Sequence, residues 1–312
     1  LSRFTEWYNY KHEVVANIHG DFMPVPFNLN TLKLVYGEEK AAELRQKLID
    51  TYGLESRVPI LKLRENPDKD IQTIADYVYN NIFLHYTLKQ WGQKPEDIDP
   101  SVSARVPVLI SEDNGYFQDA YQGMPLEGYT PLFEKMLDYP NITVKLDTDA
   151  NELLSLKDGQ VYFEGEPFNG QVIFTGPIDE FFSCCYGQLP YRSLNFVFEH
   201  HEKSDYQPKA VVNYTVSEDY TRITEFKKLT GQKKPEHTTI VKEYPIPYTG
   251  KNGEIPYYSI VNDDNLALYA KYCELVKDYK NFHLLGRLAE YKYYNIDAIV
   301  DKALTLADTL LG

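Results

Sequence analysis

A chain of 312 residues is long enough for two or three packed units. Its hydrophobic and charged fractions, 43% and 25%, are those of an ordinary soluble globular protein. A net charge of −14 speaks against a nucleic-acid-backbone binder, which draws on a basic surface, and no apolar run nears the roughly 18 residues of a spanning helix. Three cysteines, two of them adjacent (Cys184, Cys185), show neither zinc nor disulfide spacing, and no signal peptide is seen. A reducing cytoplasm is the expected location. Tyrosine is abundant at 27 copies, and a ring carrying a hydroxyl suits sugars and nucleotides as well as aromatic cores.

In chain order, residues 1–28 read as a loop and a strand, with Val14, Val15, Ala16 and Ile18 apolar, and the piece from Asp21 to Asn28 as an edge or turn, since Pro24 and Pro26 deny it a central strand position. Residues 30–52 predict a helix broken near Gly37, and residues 54–68 look linker-like. Between residues 70 and 90, Ile71, Ile74, Ala75, Val78, Ile82 and Phe83 hold one apolar face of a helix that Gly92 stops. A helix over 127–137 and a strand over 142–146 follow, then a buried strand over 171–174 ending at Thr175-Gly176-Pro177. Strand candidates at 193–199, 210–215, 221–227 and 238–244 come without intervening helices, which predicts an antiparallel sheet. Helices at 264–279 and 296–311 flank a short strand at 282–285.

Several residues carry potential chemistry. Arg105, Arg192 and Arg222 stand beside turn or aromatic residues, and the fixed guanidinium fork suits phosphate, although surface or interdomain ion pairs with the 46 acidic residues are the commoner use for any one arginine. Tyr86 and Trp91 end the long helix five positions apart, so one ring can pack inward while the other faces out. The loops 113–117 and 121–125 carry aromatic residues. Gly286-Arg287, ahead of the helix from Ile296, offers backbone N–H groups and a cation to an anion or a flavin ring. Seven histidines show no metal spacing, and no Ser-His-Asp set is apparent.

Eight segments in register resemble the UDP-galactopyranose mutase family, flavoenzymes that interconvert UDP-galactopyranose and UDP-galactofuranose. They are Pro26-Phe27-Asn28-Leu29-Asn30-Thr31, Tyr86-Thr87-Leu88-Lys89-Gln90-Trp91-Gly92, Tyr116-Phe117 with Tyr121-Gln122-Gly123, and Thr175-Gly176-Pro177-Ile178-Asp179. To these add Tyr191-Arg192-Ser193-Leu194, Tyr220-Thr221-Arg222, Pro256-Tyr257-Tyr258 and Gly286-Arg287-Leu288-Ala289-Glu290-Tyr291-Lys292-Tyr293. The resemblance implies an α/β plus α+β architecture. Its parts are the edge of an antiparallel sheet domain (1–32), a helical domain with a mobile loop (33–122), two pieces of a Rossmann-like FAD domain (123–178 and 259–312) and the antiparallel sheet domain (179–258). It implies FAD, in reduced form, as cofactor and UDP-galactose as substrate, with a homodimer as the expected assembly. In the implied reaction, flavin N5 displaces UDP from the anomeric carbon and the sugar ring opens and recloses through another hydroxyl.

Carried over by position, Arg105 and Arg222 resemble the pair that grips the diphosphate and are the implied catalytic residues. Tyr86, Thr87 and Trp91 resemble the uridine and phosphate side. Tyr116, Tyr258 and Tyr293 resemble phosphate-contacting tyrosines, His12 and Asn213 fall near the sugar and flavin, and Arg192 is a further substrate residue. Gly286, Arg287, Asn295 and Ile296 resemble the flavin-binding turn. Three positions depart from the family pattern: Leu285 where a second glycine is usual, Asn295 where aspartate is common, and Leu109 where arginine is frequent. The family's opening Gly-x-Gly-x-x-Gly unit is not seen in this sequence, which begins at Leu1. The expectation is an incomplete FAD domain, in a truncated chain that does not retain the flavin and turns over little. A non-catalytic UDP-sugar or carbohydrate-binding module, or a flavin-dependent oxidoreductase of the amine oxidase type, would share many of these features.

Overall fold

The computed structural model describes residues 1–97 and 106–312. The chain divides into two compact units, one of residues 1–142 with 194–246 and the other of residues 143–193 with 247–312.

The first unit is built on a sheet whose strands run in the order Tyr191–His201, Thr238–Pro247, Arg222–Glu225, Val211–Tyr214, Val14–Ile18 and Asp21–Val25. Val211–Tyr214 pairs parallel with Val14–Ile18, while its pairing with Arg222–Glu225, and that strand's with Thr238–Pro247, is antiparallel. Val14, Val15, Ala16 and Ile18 are buried, because this strand has a neighbour on each side. The strand expected within residues 1–28 is Val14–Ile18, and the expectation of an edge or turn from Asp21 holds for Asp21–Val25, where Pro24 sits on the outermost strand.

Helices supply the rest of this core. Leu29–Tyr36 starts from a capping box in which the Asn28 side chain accepts from the Asn30 and Thr31 amides. Gly37, at φ +75°, separates it from Glu38–Tyr52, the predicted break. Residues 54–68 are more than a linker, since Val58, Ile60 and Leu63 are buried and Arg57–Val58 pairs with Val108–Leu109. The long helix opens at Asp68, whose carboxylate accepts from the Asp70 and Ile71 amides, and stops at left-handed Gly92, whose N–H reaches the Leu88 carbonyl. It is not one regular helix. Lys69–Val78 and His85–Trp91 are α-helical, but Tyr79–Leu84 between them is a π-helix. The extra residue per turn rotates the last stretch relative to the first.

The second unit has a parallel strand pair, Val172–Phe174 with Phe282–Leu284, and an antiparallel meander of Leu154–Lys157, Gln160–Phe163 and Glu166–Pro167. Tyr191 and Arg192 pair with Ser259 and Tyr258. Its core gathers Phe174, Ile178, Tyr191, Tyr272, Phe282 and Tyr291. Helices Asp263–Val276 and Ile296–Leu311 occur where expected. The strand expected over 142–146, which straddles the boundary between the units, does not form. Ile142, Val144 and Leu146 alternate as a strand would, yet all three are exposed and lie outside every strand assigned among the described residues. No helix among the described residues is long and apolar enough to cross a membrane.

Candidate functional site

Cross-strand register builds the centre of the first unit's site. Asn213 lies opposite Arg222, and Arg222 opposite Glu243, so the three side chains share one face of the sheet. Arg222 Nε stands 3.1 Å from Glu243 Oε2, and its Nη2 donates to the Tyr86 hydroxyl at 3.1 Å. Glu243 and Tyr86 are both enclosed. Burial pushes the Glu243 carboxyl up and the Arg222 charge opposes it, and the same two causes act on the Tyr86 phenol. The guanidinium is thus held from two directions with its counter-charge inside the protein.

His12 completes the group. Its Nδ1 is 3.2 Å from the Tyr10 hydroxyl, and its ring lies 5.5 Å from that of Tyr116 and 5.8 Å from that of Phe117. Burial first, and then the positive charge of Arg222, lowers its pKa to about 4. The imidazole is therefore neutral near pH 7, so Arg222 is the charged member of this pair. The Tyr116 loop is tied down from several sides. The Tyr116 amide donates to the His12 carbonyl at 2.8 Å, Asn28 Nδ2 to the Asp113 carbonyl at 3.0 Å, and Lys11 pairs with Asp113 at 2.6 Å. Space at Gly115 is tight, since a Cβ there would stand 3.0 Å from the Phe117 carbonyl oxygen and 2.7 Å from Cε at the flexible end of Lys11. Thr87 is buried and Trp91 half-buried on the short helix that carries Tyr86.

In the second unit, Arg192 faces Tyr258 across its strand pair, and its carbonyl accepts from the Tyr257 amide at 3.0 Å. Burial works against the Arg192 charge. The Tyr258 and Tyr293 rings stack with centroids 6.5 Å apart and an 11° tilt, and the Arg287 guanidinium lies 4.1 Å over Tyr293. Arg287 Nε and Nη2 donate to the Tyr294 carbonyl at 2.8 and 2.5 Å. Gly286, at φ +105°, follows the end of the Phe282–Leu284 strand; its amide donates to Glu290 Oε2 at 2.9 Å, and Glu290 pairs with Lys302. The turn does not itself open the helix. Residues 292–295 intervene, and Asn295 caps Ile296–Leu311 without a side-chain hydrogen bond.

Of the residues singled out from sequence, His12, Tyr86, Tyr116, Asn213 and Arg222 gather in the first unit, with Thr87 and Trp91 on the adjoining helix. Arg192, Tyr258, Tyr293, Gly286, Arg287, Asn295 and Ile296 fall in the second. Arg105 lies outside the described residues. Three participants escaped the sequence reading. Glu243 is visible only through strand register, and Tyr10 only through its reach to His12. Lys89 lies three residues after Tyr86 on the same helical face, a spacing that was there to be used. Among the described residues no group of three or more His, Cys, Asp or Glu side chains could hold a metal ion.

The second unit offers features that suit a flavin dinucleotide. The carboxyl ends of two parallel strands lead to Thr175-Gly176 and Leu285-Gly286, the end at which α/β sheets bind ligands. Space beside left-handed Gly286 is open, with Thr175 Cβ, at 4.0 Å, the nearest atom to a built Cβ. The 16-residue terminal helix starts at Asn295 without a side-chain cap hydrogen bond.

A solved structure from Exiguobacterium sp. 255-15, provisionally named a protoporphyrinogen oxidase, superposes with a TM-score of 0.57 at 14% identity, over 97% of this chain and 80% of its own, which supports the mixed α/β architecture. A mutase of Escherichia coli named for dTDP-fucopyranose is 30% identical over 98% of this chain and 79% of its own length. UDP-galactopyranose mutases of Mycoplasma pneumoniae and Mycoplasma genitalium are 32% and 33% identical over 100% of this chain and 79% and 78% of theirs. The profile of that family matches residues 81–293, the stretch that holds Tyr86, Tyr116, Arg192, Asn213, Arg222, Tyr258, Gly286 and Tyr293. On that match and those identities, the chain belongs to the UDP-galactopyranose mutase family.

Proposed function

We propose that this chain is an isomerase acting on a UDP-sugar, interconverting UDP-galactopyranose and UDP-galactofuranose, with Arg222 as the residue that meets the diphosphate. The observation that carries this reading is the Arg222 guanidinium, fixed by Glu243 and the Tyr86 hydroxyl beside a histidine held neutral, in a chain similar along its whole length to such mutases. Breaking the bond between the anomeric carbon and UDP puts negative charge on the departing diphosphate. A cation already held in place stabilises that charge with little reorganisation. Charged hydrogen bonds of this kind contribute about 1.5–3 kcal/mol each. The neutral His12 leaves the charge matching to arginine, and the Tyr116 hydroxyl and the Asn213 amide add uncharged donors to phosphate or sugar oxygens.

In the second unit, Tyr258 and Tyr293 are assigned phosphate contacts and Arg192 a substrate contact. Gly286, Arg287, Asn295 and Ile296 are assigned to FAD. When bound, the reduced flavin supplies the nucleophile for the sugar's anomeric carbon. The protein's own residues hold the diphosphate, orient the sugar and keep water from the reacting carbon. Arg105 is assigned the second diphosphate contact, as the family resemblance implies.

The test is chromatographic conversion of UDP-galactofuranose to UDP-galactopyranose with dithionite-reduced FAD. Arg222→Ala should lower kcat/KM on the order of 100-fold, or about 3 kcal/mol of transition-state stabilisation. Unchanged kcat/KM in that variant would remove Arg222 from the mechanism. Conversion of a dTDP-sugar but not a UDP-sugar would move the substrate to that of the Escherichia coli relative.

A further inference from the structure

We infer that Lys89 is a positioning residue for Arg222, clamping the helix that carries Tyr86 to the loop that delivers the arginine. The inference rests on the reading that Arg222 meets the diphosphate. Lys89 Nζ donates to three backbone carbonyls, those of Tyr214 at 2.5 Å, Glu218 at 2.8 Å and Tyr220 at 3.1 Å. An ammonium has three N–H donors, enough for these three carbonyls. Tyr214 ends the strand Val211–Tyr214, Glu218 and Tyr220 lie in the connection from it to Arg222–Glu225, and Tyr220 is two residues before Arg222. Lys89 lies on the same turn-to-turn stripe as Tyr86, which receives the Arg222 hydrogen bond.

A second fastening lies on the same loop. Thr215, with only 1% of its surface exposed, donates from Oγ1 to the Asn81 carbonyl at 2.5 Å. Asn81 sits inside the π-helical segment, where the regular helical hydrogen-bond pattern is displaced and a carbonyl can turn to an outside donor. Loop and helix are thus joined at both ends of a short span, and the distance from Tyr86 to Arg222 is set by that span. Burial disfavours the Lys89 charge, while Glu218 and Asp219 nearby favour it. The loop carbonyls are the groups that would lose their donors if the ammonium left.

The test is a double-mutant cycle read as UDP affinity by calorimetry, which does not depend on a loaded flavin. Lys89→Met keeps the aliphatic stem and removes the donors, and should weaken UDP about tenfold, as should Arg222→Ala. If Lys89 acts through Arg222, adding Lys89→Met to Arg222→Ala should cost less than about twofold more. Thr215→Val, close in shape to the native residue, should show the same coupling with a smaller loss of about threefold, and it decides the matter if Lys89→Met does not fold. Losses that multiply across the cycle, or a lowered Tm with UDP affinity intact, would reduce Lys89 to scaffolding and overturn the inference. An Arg222→Ala chain that binds UDP like the parent would instead overturn the functional reading beneath it.

Discussion

His12 shows how one residue's surroundings turn into a measurable property. Its pKa is about 4 in the folded chain against an ordinary value of 6.5, because burial and the Arg222 cation both penalise the imidazolium. The unfolded chain therefore takes up a proton below pH 6.5 that the folded chain refuses until about pH 4, so stability is lost as pH falls through that window. The loss attributable to His12 should be on the order of 2–3 kcal/mol. Thermal melts of the native chain and of His12→Gln between pH 7 and pH 4 should converge as the pH falls, after subtraction of the carboxylate titrations common to both. Parallel curves would show that the imidazole is not held neutral. Only family position pointed to His12 beforehand, since burial and an arginine from a strand about 200 residues away are products of tertiary structure.

At the scale of elements, what could be read from sequence was what local chemistry decides. Gly37 as a break and Gly92 as a stop both follow from backbone freedom at the point where they act, whereas the Asn28 and Asp68 caps emerged only with the structure. Gly92 at φ +72° should lose about 1 kcal/mol on change to alanine, since a Cβ strains the left-handed conformation. Urea unfolding checks this, and an unchanged midpoint would show that the helix end relaxes freely. The π-segment was not legible, because Ile82 and Phe83 continue the apolar pattern of a regular helix and the hydrogen bond from Thr215 comes from 134 residues away. The expected strand at 142–146 failed for the opposite reason. Its alternation is clear, but a strand also needs a neighbour, and no described residue supplies one. Glu243 was missed because register, not spacing along the chain, sets it opposite Arg222.

At the scale of the whole molecule, an acidic chain handles an acidic ligand through a few half-buried cations. Net charge of −14 is compatible with this because screening confines exposed charges to about 8 Å at physiological salt, while half-buried Arg222 is held in place by Glu243 and Tyr86. The family's likeness along the full chain, through segments distant in sequence, is what pointed to these residues, and strand register is what brings Asn213, Arg222 and Glu243 onto one face. The most direct measurement is titration of UDP into the chain, followed by tryptophan emission in a Trp7→Phe background so that Trp91 alone reports. The account predicts a saturable change whose midpoint rises at least about tenfold in Arg222→Ala. Emission that ignores UDP, or an Arg222→Ala chain that saturates at the same concentration as its parent, would contradict it.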